Sequence, residues 1–402
     1  MGKEIELSTA ITDIAAGPFG SNLKVECFVP SGFPIIDGAN LKGYKVTDNI
    51  TKFVTEEKAR SLSRSIAHRG DVIVTISGTI GQIAYIPEDS LYDEYLCSQR
   101  QFRVSFDSSM VYVPYLVFYF HTFEGQNKIL SFANQTGVPA LSQPLKNFKK
   151  IRLCLPSLQE QRRIASIVET INDKIENNIK INDNLEQQAQ SYFQELFVDN
   201  ADPEWTTGTI SDLGTVVGGS TPSKAKPEYY TESGIAWITP KDLSINKSKF
   251  VSHGENDITE LGLRNSSASI MPEGTVLFSS RAPIGYIAIA AGEVTTNQGF
   301  KSVVPKPEIG TPFVYFFLKN TLPVIEGMAS GSTFKEVSGS TMKNVPAVIP
   351  DAEILAKFSD FCAPIFAQQR TLEEQNQSLA KLRDSLLPKL MSGEIDVSAV
   401  HL

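Results

Sequence analysis

Polar and basic side chains gather in the glycine- and proline-rich loops of this chain, and they do so twice. In the second half, GGSTPSKAKPEYY (218–230) places Thr221, Lys224 and Lys226 in one turn-rich loop. IAWITPKDL (235–243) follows with Trp237, Thr239 and Lys241, and Arg281 stands just before a Pro-Ile-Gly turn. Asn297 with Gln298, and Ser332 with Lys335, complete that set. The first half offers Ser21 and Lys24, then Lys42 and Lys45, Arg64 and Arg69, Thr79, Gln99 with Arg100, and Asn134 with Gln135. Arg, Lys, Asn and Gln carry the donors and acceptors that read base edges, while Ser, Thr and backbone N–H groups hold phosphates. Any one of these residues is an ordinary surface group. The recurrence of the whole set is the signal.

Covalent chemistry has no comparable signature. No G-x-x-x-x-G-K-[ST], strand-borne G-x-G-x-x-G, G-x-S-x-G or H-E-x-x-H is present. The Asn/Asp-Pro-Pro-aromatic tetrapeptide of amino-methyltransferases is absent too. Cys27, Cys97, Cys154 and Cys362 are scattered without a C-x-x-C pair, and so are the four histidines. Reduced, buried thiols are expected, with no catalytic residue, metal site or cofactor on this chain. No run of 18 apolar residues exists and the opening MGKEIE is not a secretory signal, so a cytoplasmic protein without membrane contact is expected.

The net charge is −8, and its placement is uneven. Residues 1–156 hold 16 basic and 15 acidic side chains, and 201–350 hold 12 and 14. Residues 157–200 hold 4 and 8, and 351–402 hold 5 and 8. An acidic protein reaches nucleic acid only through a local basic face or with basic partners.

What must position the loops is a duplicated unit. IAHRGDVIVTISGTIGQIAYIP (66–87) is echoed by IMPEGTVLFSSRAPIGYIAIA (270–290) at an offset of 204, which matches Gly70 to Gly274 and Gly81 to Gly285. From Leu145 onward the offset is 194, so Pro156 falls on Pro350 and Leu196 on Leu390. Each copy reads as a mixed α/β domain, because β-branched apolar runs end in glycine turns and aromatic segments (112–123, 311–320) show helical spacing. Each domain leads into a long helix. The first opens with the capping box Ser157 and Glu160. A 4-3 rhythm then runs through Ile164, Val168, Ile171, Ile175, Asn182 and Leu185. In the second copy it runs through Phe358, Ile365, Leu372, Asn376, Leu379 and Leu386. That rhythm is a coiled-coil seam. Each helix is the simplest partner of the other, which predicts an antiparallel pair with a domain at each end. Pro364 should kink the second helix or start its regular part. The expected fold class is α+β. Its parts are a first domain (1–156), a helix (157–200), a second domain (201–350), a second helix (351–393) and a tail (394–402).

GGSTPSKAKPEYY with IAWITPKDL, the strands before G-T-I-G and A-P-I-G, LPSLQEQRRIASIVETINDKI and LRDSLLPKLMSGEID resemble the specificity subunit of type I restriction–modification enzymes. The likeness covers essentially the whole chain. It implies a non-catalytic DNA-binding subunit of a bacterial defence complex, in which two target-recognition domains each read half of an asymmetric DNA site. The helices then act as spacer and as docking platform for two modification subunits. Those subunits carry S-adenosylmethionine and methylate adenine, and restriction subunits using ATP and magnesium join them. The resemblance brings Thr221, Lys224, Trp237, Thr239 and Lys241 close to DNA. In the first copy GPFGSNL (17–23) lacks the Thr-Pro and FPIIDGANL lacks the Trp. Two other readings remain open: a coiled-coil scaffold whose domains bind proteins, and an enzyme with an unrecognised site.

Overall fold

The run VIVT at Val72–Thr75 is buried at every position. A β-branched strand without alternation needs cover on both faces, and its surroundings supply it. The computed structural model describes residues 2–134, 137–331 and 335–400. The chain divides into two units, Met1–Lys174 with Leu379–Leu402, and Ile175–Ser378.

In the first unit Val72–Thr75 lies inside an antiparallel sheet ordered Ile11–Ala16, Gln101–Phe106, Val72–Thr75, Ile83–Tyr85. A second sheet of short strands is ordered Phe28–Val29, Phe53–Val54, Phe33–Ile36, Glu94–Cys97, Ile66–His68. Its one parallel pairing sets Ile35 against Leu96. Lys3–Glu6 pairs with Arg152–Leu155, so the start and end of the first copy meet. Strand alternation turns Leu153 and Leu155 inward and leaves Cys154 exposed, and Cys27 is half-buried, so only Cys97 and Cys362 meet the expectation of buried thiols. The aromatic helix Val113–Phe120 is almost wholly buried. Its cluster also takes Ile164, Ala165 and Val168 from the first long helix and Leu387 and Leu390 from the second.

The second unit repeats this plan. Gly214–Gly218, Lys301–Pro305, Val276–Ser280, Ile284–Ala290 and Phe250–Val251 form one sheet. Tyr230–Thr231, Asn256–Ile258, Ile235–Ile238 and Thr295–Thr296 form the other. Trp237 pairs in parallel with Thr295, as Ile35 does with Leu96. Thr206–Thr209 closes on Pro346–Ile349. The matched glycines share a backbone need: Gly81 and Gly285 have φ of 90° and 94°, where an L side chain is strained. The copies differ at the aromatic helix. Thr122 caps a new helix in the first copy, while Thr311–Met328 runs on through Pro323 in the second.

The first long helix spans Leu158–Gln194, with Ser157 N–H donating to Glu160 at 3.0 Å and Glu160 N–H donating to Ser157 Oγ at 3.3 Å. The second spans Ala352–Ser392. Pro364 lies inside it on an exposed face, so this proline does not start the helix. The seam residues of both helices are buried or half-buried. Within the first unit Arg383 donates to Asn172 at 3.1 Å. Within the second, Asn178 donates to Asn376 at 2.8 Å, Gln369 to the Asn182 carbonyl at 3.2 Å, and Tyr192 meets Phe361 with ring centroids 4.5 Å apart. Rising numbers on one helix meet falling numbers on the other, so in each unit the pairing is antiparallel.

One ion pair fixes the five-stranded sheet of the second unit to these helices. Lys249, just before the strand Phe250–Val251, is 7% exposed. Its ammonium lies 2.8 Å from Glu186 and 2.9 Å from Gln369 Oε1, over the Phe366 ring at 3.5 Å. Glu373 accepts the N–H groups of Lys249 and Phe250 at 2.8 and 3.0 Å.

Candidate nucleic-acid interface

Each unit carries an open cleft where its two sheets converge on loops. In the second unit a cleft of 640 Å³ is lined by Thr221, Lys224, Trp237, Thr239, Lys241, Arg281, Asn297 and Gln298. These residues come from four separate segments, and all were singled out in the sequence. In the first unit a cleft of 900 Å³ brings together Lys24, Thr79, Gln99 and Arg100.

The clefts are built by equivalent devices. A Cβ on Gly17 would stand 1.8 Å from the Ser98 carbonyl oxygen, and one on Gly219 would stand 2.0 Å from that of Asn297. Only glycine lets the loop backbone pass that close. Gln99 Nε2 donates to the Leu23 carbonyl at 2.7 Å, and its counterpart Gln298 accepts from the Thr221 hydroxyl. In each copy the glutamine ties the N-terminal loop to the cleft floor. Thr239 and Asp242 form a reciprocal cap on the helix Pro240–Ile245, and Asp37 with Asn40 does the same for the turn Gly38–Asn40. From residue 17 to residue 36 the structural offset is 202, which sets Ser21 on Ser223, Lys24 on Lys226 and Phe19 on Thr221.

Electrostatically each cleft has a small basic excess. Lys24, Lys52 and Arg100 face Glu26 and Asp37 in the first, and Lys224, Lys241 and Arg281 face Asp242 and Glu255 in the second. One acid in each is engaged in a cap. Burial pushes the Asp37 carboxyl up, but Lys52 at 2.6 Å and the Ala39 N–H hold it below the usual carboxylate range. The exposed Lys241–Glu255 pair, at 2.6 Å, adds little to stability. Each cleft lining thus carries one more basic than acidic side chain, on a chain of net charge −8.

Several residues singled out in the sequence are spent on structure or lie outside the clefts. Trp237 is only 6% exposed, and its indole N–H donates to the Ser220 carbonyl at 2.9 Å. It supports the 218–230 loop more than it offers a surface. Lys45 and Arg69 line a different cleft, which faces Glu169 and Asp173 of the first long helix. Lys45 pairs with Asp173 at 3.2 Å and Arg69 with Asp93 at 3.0 Å. By strand register Lys45 matches Phe250 and Tyr44 matches Lys249, yet Lys45 and Lys249 both spend their charge on a helix at this sheet edge. Arg64 borders a shallow groove beside Phe19. Ser21, Lys42, Asn134 and Lys335 are exposed outside the clefts, and Lys226 lies over the Tyr229 ring at 5.3 Å. Gln135 and Ser332 lie outside the described residues.

The sequence reading missed Gln82, Gln101, Asp37 and Lys52 in the first cleft and Tyr230 and Asn256 in the second. The Asp37-x-x-Asn40 spacing was a readable cap. Nothing local marked the others. Among the described residues no group of His, Cys, Asp and Glu could hold a metal, and no helix is long and apolar enough to cross a membrane.

Two unlike copies of one cleft-bearing α+β unit, each continued by a long helix, define a duplicated recognition protein. The family model for the type I restriction modification DNA specificity domain matches residues 29–187 and again 203–380. The chain belongs to that family and carries its domain twice. It is 37% identical over 195 residues to the type I restriction enzyme MjaIX specificity subunit of Methanocaldococcus jannaschii, a match spanning 48% of this chain and 45% of that protein. It is 22% identical over 392 residues to the HindI specificity subunit of Haemophilus influenzae, covering 78% and 84%. The crystal structure of a type I restriction–modification S subunit from M. genitalium shares the fold, with a TM-score of 0.59, 16% identity and coverage of 96% and 95%.

Proposed function

We propose that this chain is the DNA-specificity subunit of a type I restriction–modification complex and has no catalytic activity of its own. Residues 1–156 and 201–350 are its two target-recognition domains, each reading one half of a bipartite double-stranded site. Residues 157–200 and 351–393 are the spacer helices on which two modification subunits dock. S-adenosylmethionine belongs to those subunits, and ATP with magnesium to the restriction subunits. The complex works in the cytoplasm.

The observation that carries this reading is the pair of equivalent clefts with unlike linings. Both are built on the same glycine and glutamine devices, yet Arg281 in one stands against Ser77 in the other, and Thr221 against Phe19, which borders the first cleft and lines the neighbouring groove. Two different half-sites make an asymmetric target, unlike the palindrome of a symmetric dimer. Arg100, Gln99, Arg281, Asn297 and Gln298 are the base-reading candidates, and Lys24, Lys224, Thr79 and Thr239 the phosphate-holding ones. Flipping of the target adenine falls to the modification subunits, since a methyltransferase must extrude its base.

Methylome sequencing of a host expressing this chain with its modification subunit tests the proposal. An asymmetric, bipartite methyladenine motif is expected. The absence of any new motif overturns it.

A further inference from the structure

At the edge of the first cleft the chain sets an exposed Phe19 where the second copy has the polar Thr221. Phe19 is 82% exposed and Val25 is 80% exposed, both on the loop that carries Lys24. This loop is not slack. Gly17 N–H donates to the Gln101 carbonyl at 2.8 Å, and Gln99 grips the Leu23 carbonyl at 2.7 Å. Asn22 N–H closes a turn on the Phe19 carbonyl at 2.8 Å, and Cys27 N–H closes another on Lys24 at 3.0 Å. Leu23, between the two turns, is buried. A pinned loop therefore holds two large apolar side chains in water.

Val25 lines the same cleft as Lys24, Gln99 and Arg100, and Phe19 immediately precedes Gly20 at its edge. The corresponding residues of the second copy are Thr221, bonded to Gln298, and Pro227. Neither Phe nor Val can hydrogen-bond a base edge. In the major groove the group that an apolar side chain can recognise is the 5-methyl of thymine.

We propose that Phe19 and Val25 make an apolar contact with the half-site read by the first copy and select thymine there through its methyl group. The inference rests on the DNA-specificity reading above and adds the chemistry by which one base is chosen. Continuity with the basic cleft favours DNA over a protein surface as the occupant.

The test uses this chain in complex with its modification subunit, on duplexes carrying the motif found by methylome sequencing. Each thymine of the first half-site is replaced in turn by deoxyuridine, which removes only the methyl. At one position the wild-type complex should bind about fourfold more weakly, the effect of one buried methyl-sized group. A Phe19→Ala, Val25→Ala double variant should bind the thymine duplex more weakly and no longer distinguish the two bases. Deoxyuridine in the second half-site should not separate variant from wild type. The proposal is overturned if the half-site contains no thymine, if wild type is indifferent to deoxyuridine throughout it, or if the variant keeps wild-type discrimination. It is also overturned if the variant binds DNA normally but no longer retains the modification subunit. A methylome without a bipartite motif is a separate result, which removes the specificity reading itself.

Discussion

Glu186 on the first long helix and Lys249 at the edge of the second unit's five-stranded sheet form an ion pair at 2.8 Å, roofed by the rings of Phe366 and Tyr315. Lys319 reaches the other oxygen of Glu186 at 2.5 Å. One carboxylate thus serves two ammonium groups, and the sheet is held to the helix through it. Removing one partner of a buried pair leaves a charge without compensation, at about 3–5 kcal/mol. Glu186→Ala should destabilise the second unit by that order. Lys249→Met should cost far less, because Glu186 keeps Lys319 and the thioether fills the aromatic cage. Thermal melting of the two variants checks the ranking.

The same pair sets an acid limit. Burial pushes the Glu186 carboxyl up, but Lys249 and Lys319 overcome it and bring its pKa down to about 2. The folded value lies below the ordinary one, so the stability it contributes is present above about pH 4.5 and is lost as pH falls toward 2. Lys249 is drawn down to about 8 by burial, partly opposed by Glu186. Between pH 8 and about 10.5 the unfolded chain holds a proton that the folded chain releases, so this group's contribution rises with pH there. Melting of wild type between pH 6 and 3 should fall more steeply than that of Glu186→Gln.

Trp237 fastens the 218–230 loop through its single bond to Ser220. Trp237→Phe keeps the apolar body and deletes the donor, at about 1 kcal/mol. Affinity for the second half-site should drop roughly fivefold, with the first half-site unaffected. Gly219→Ala, whose Cβ would meet the Asn297 carbonyl oxygen at 2.0 Å, should be more severe at the same half-site. Binding to duplexes scrambled in one half-site or the other separates the two effects.

Asn178 is fully buried, and although its amide donates to Asn376, its own Oδ1 has no partner. Replacing Asn178 and Asn376 together with leucine removes that orphan oxygen and should raise stability by about 1 kcal/mol. A polar seam layer fixes register, so the variant should also form mispaired or higher oligomers. Melting and light scattering read the two outcomes.

Four residues inserted after Lys174 in the first helix, matched by four before Leu379 in the second, lengthen each by about 6 Å. That is close to two base-pair rises of about 3.4 Å. The non-specific spacer of the methylated motif should lengthen while both half-sites persist. Altered half-site bases instead would remove the spacer role from the helices.

The sequence by itself determined the duplication, the strands around Val72 and Val276, and both long helices with the side of each that is buried. These follow from periodicity and capping, which act between residues a few positions apart. Lys45 and Lys24 were indistinguishable at that level, since both are lysines in polar loops. Tertiary structure separated them. Lys24 opens onto a cleft shared with Gln99, while Lys45 meets Asp173, 128 residues away in the chain. Lys249 gave no local sign of burial, because its counter-ion sits on a helix 63 residues earlier. Which loops share a cleft, and which charges line the clefts rather than bind the helices, depends on contacts between distant segments. Only the folded chain brings those segments together.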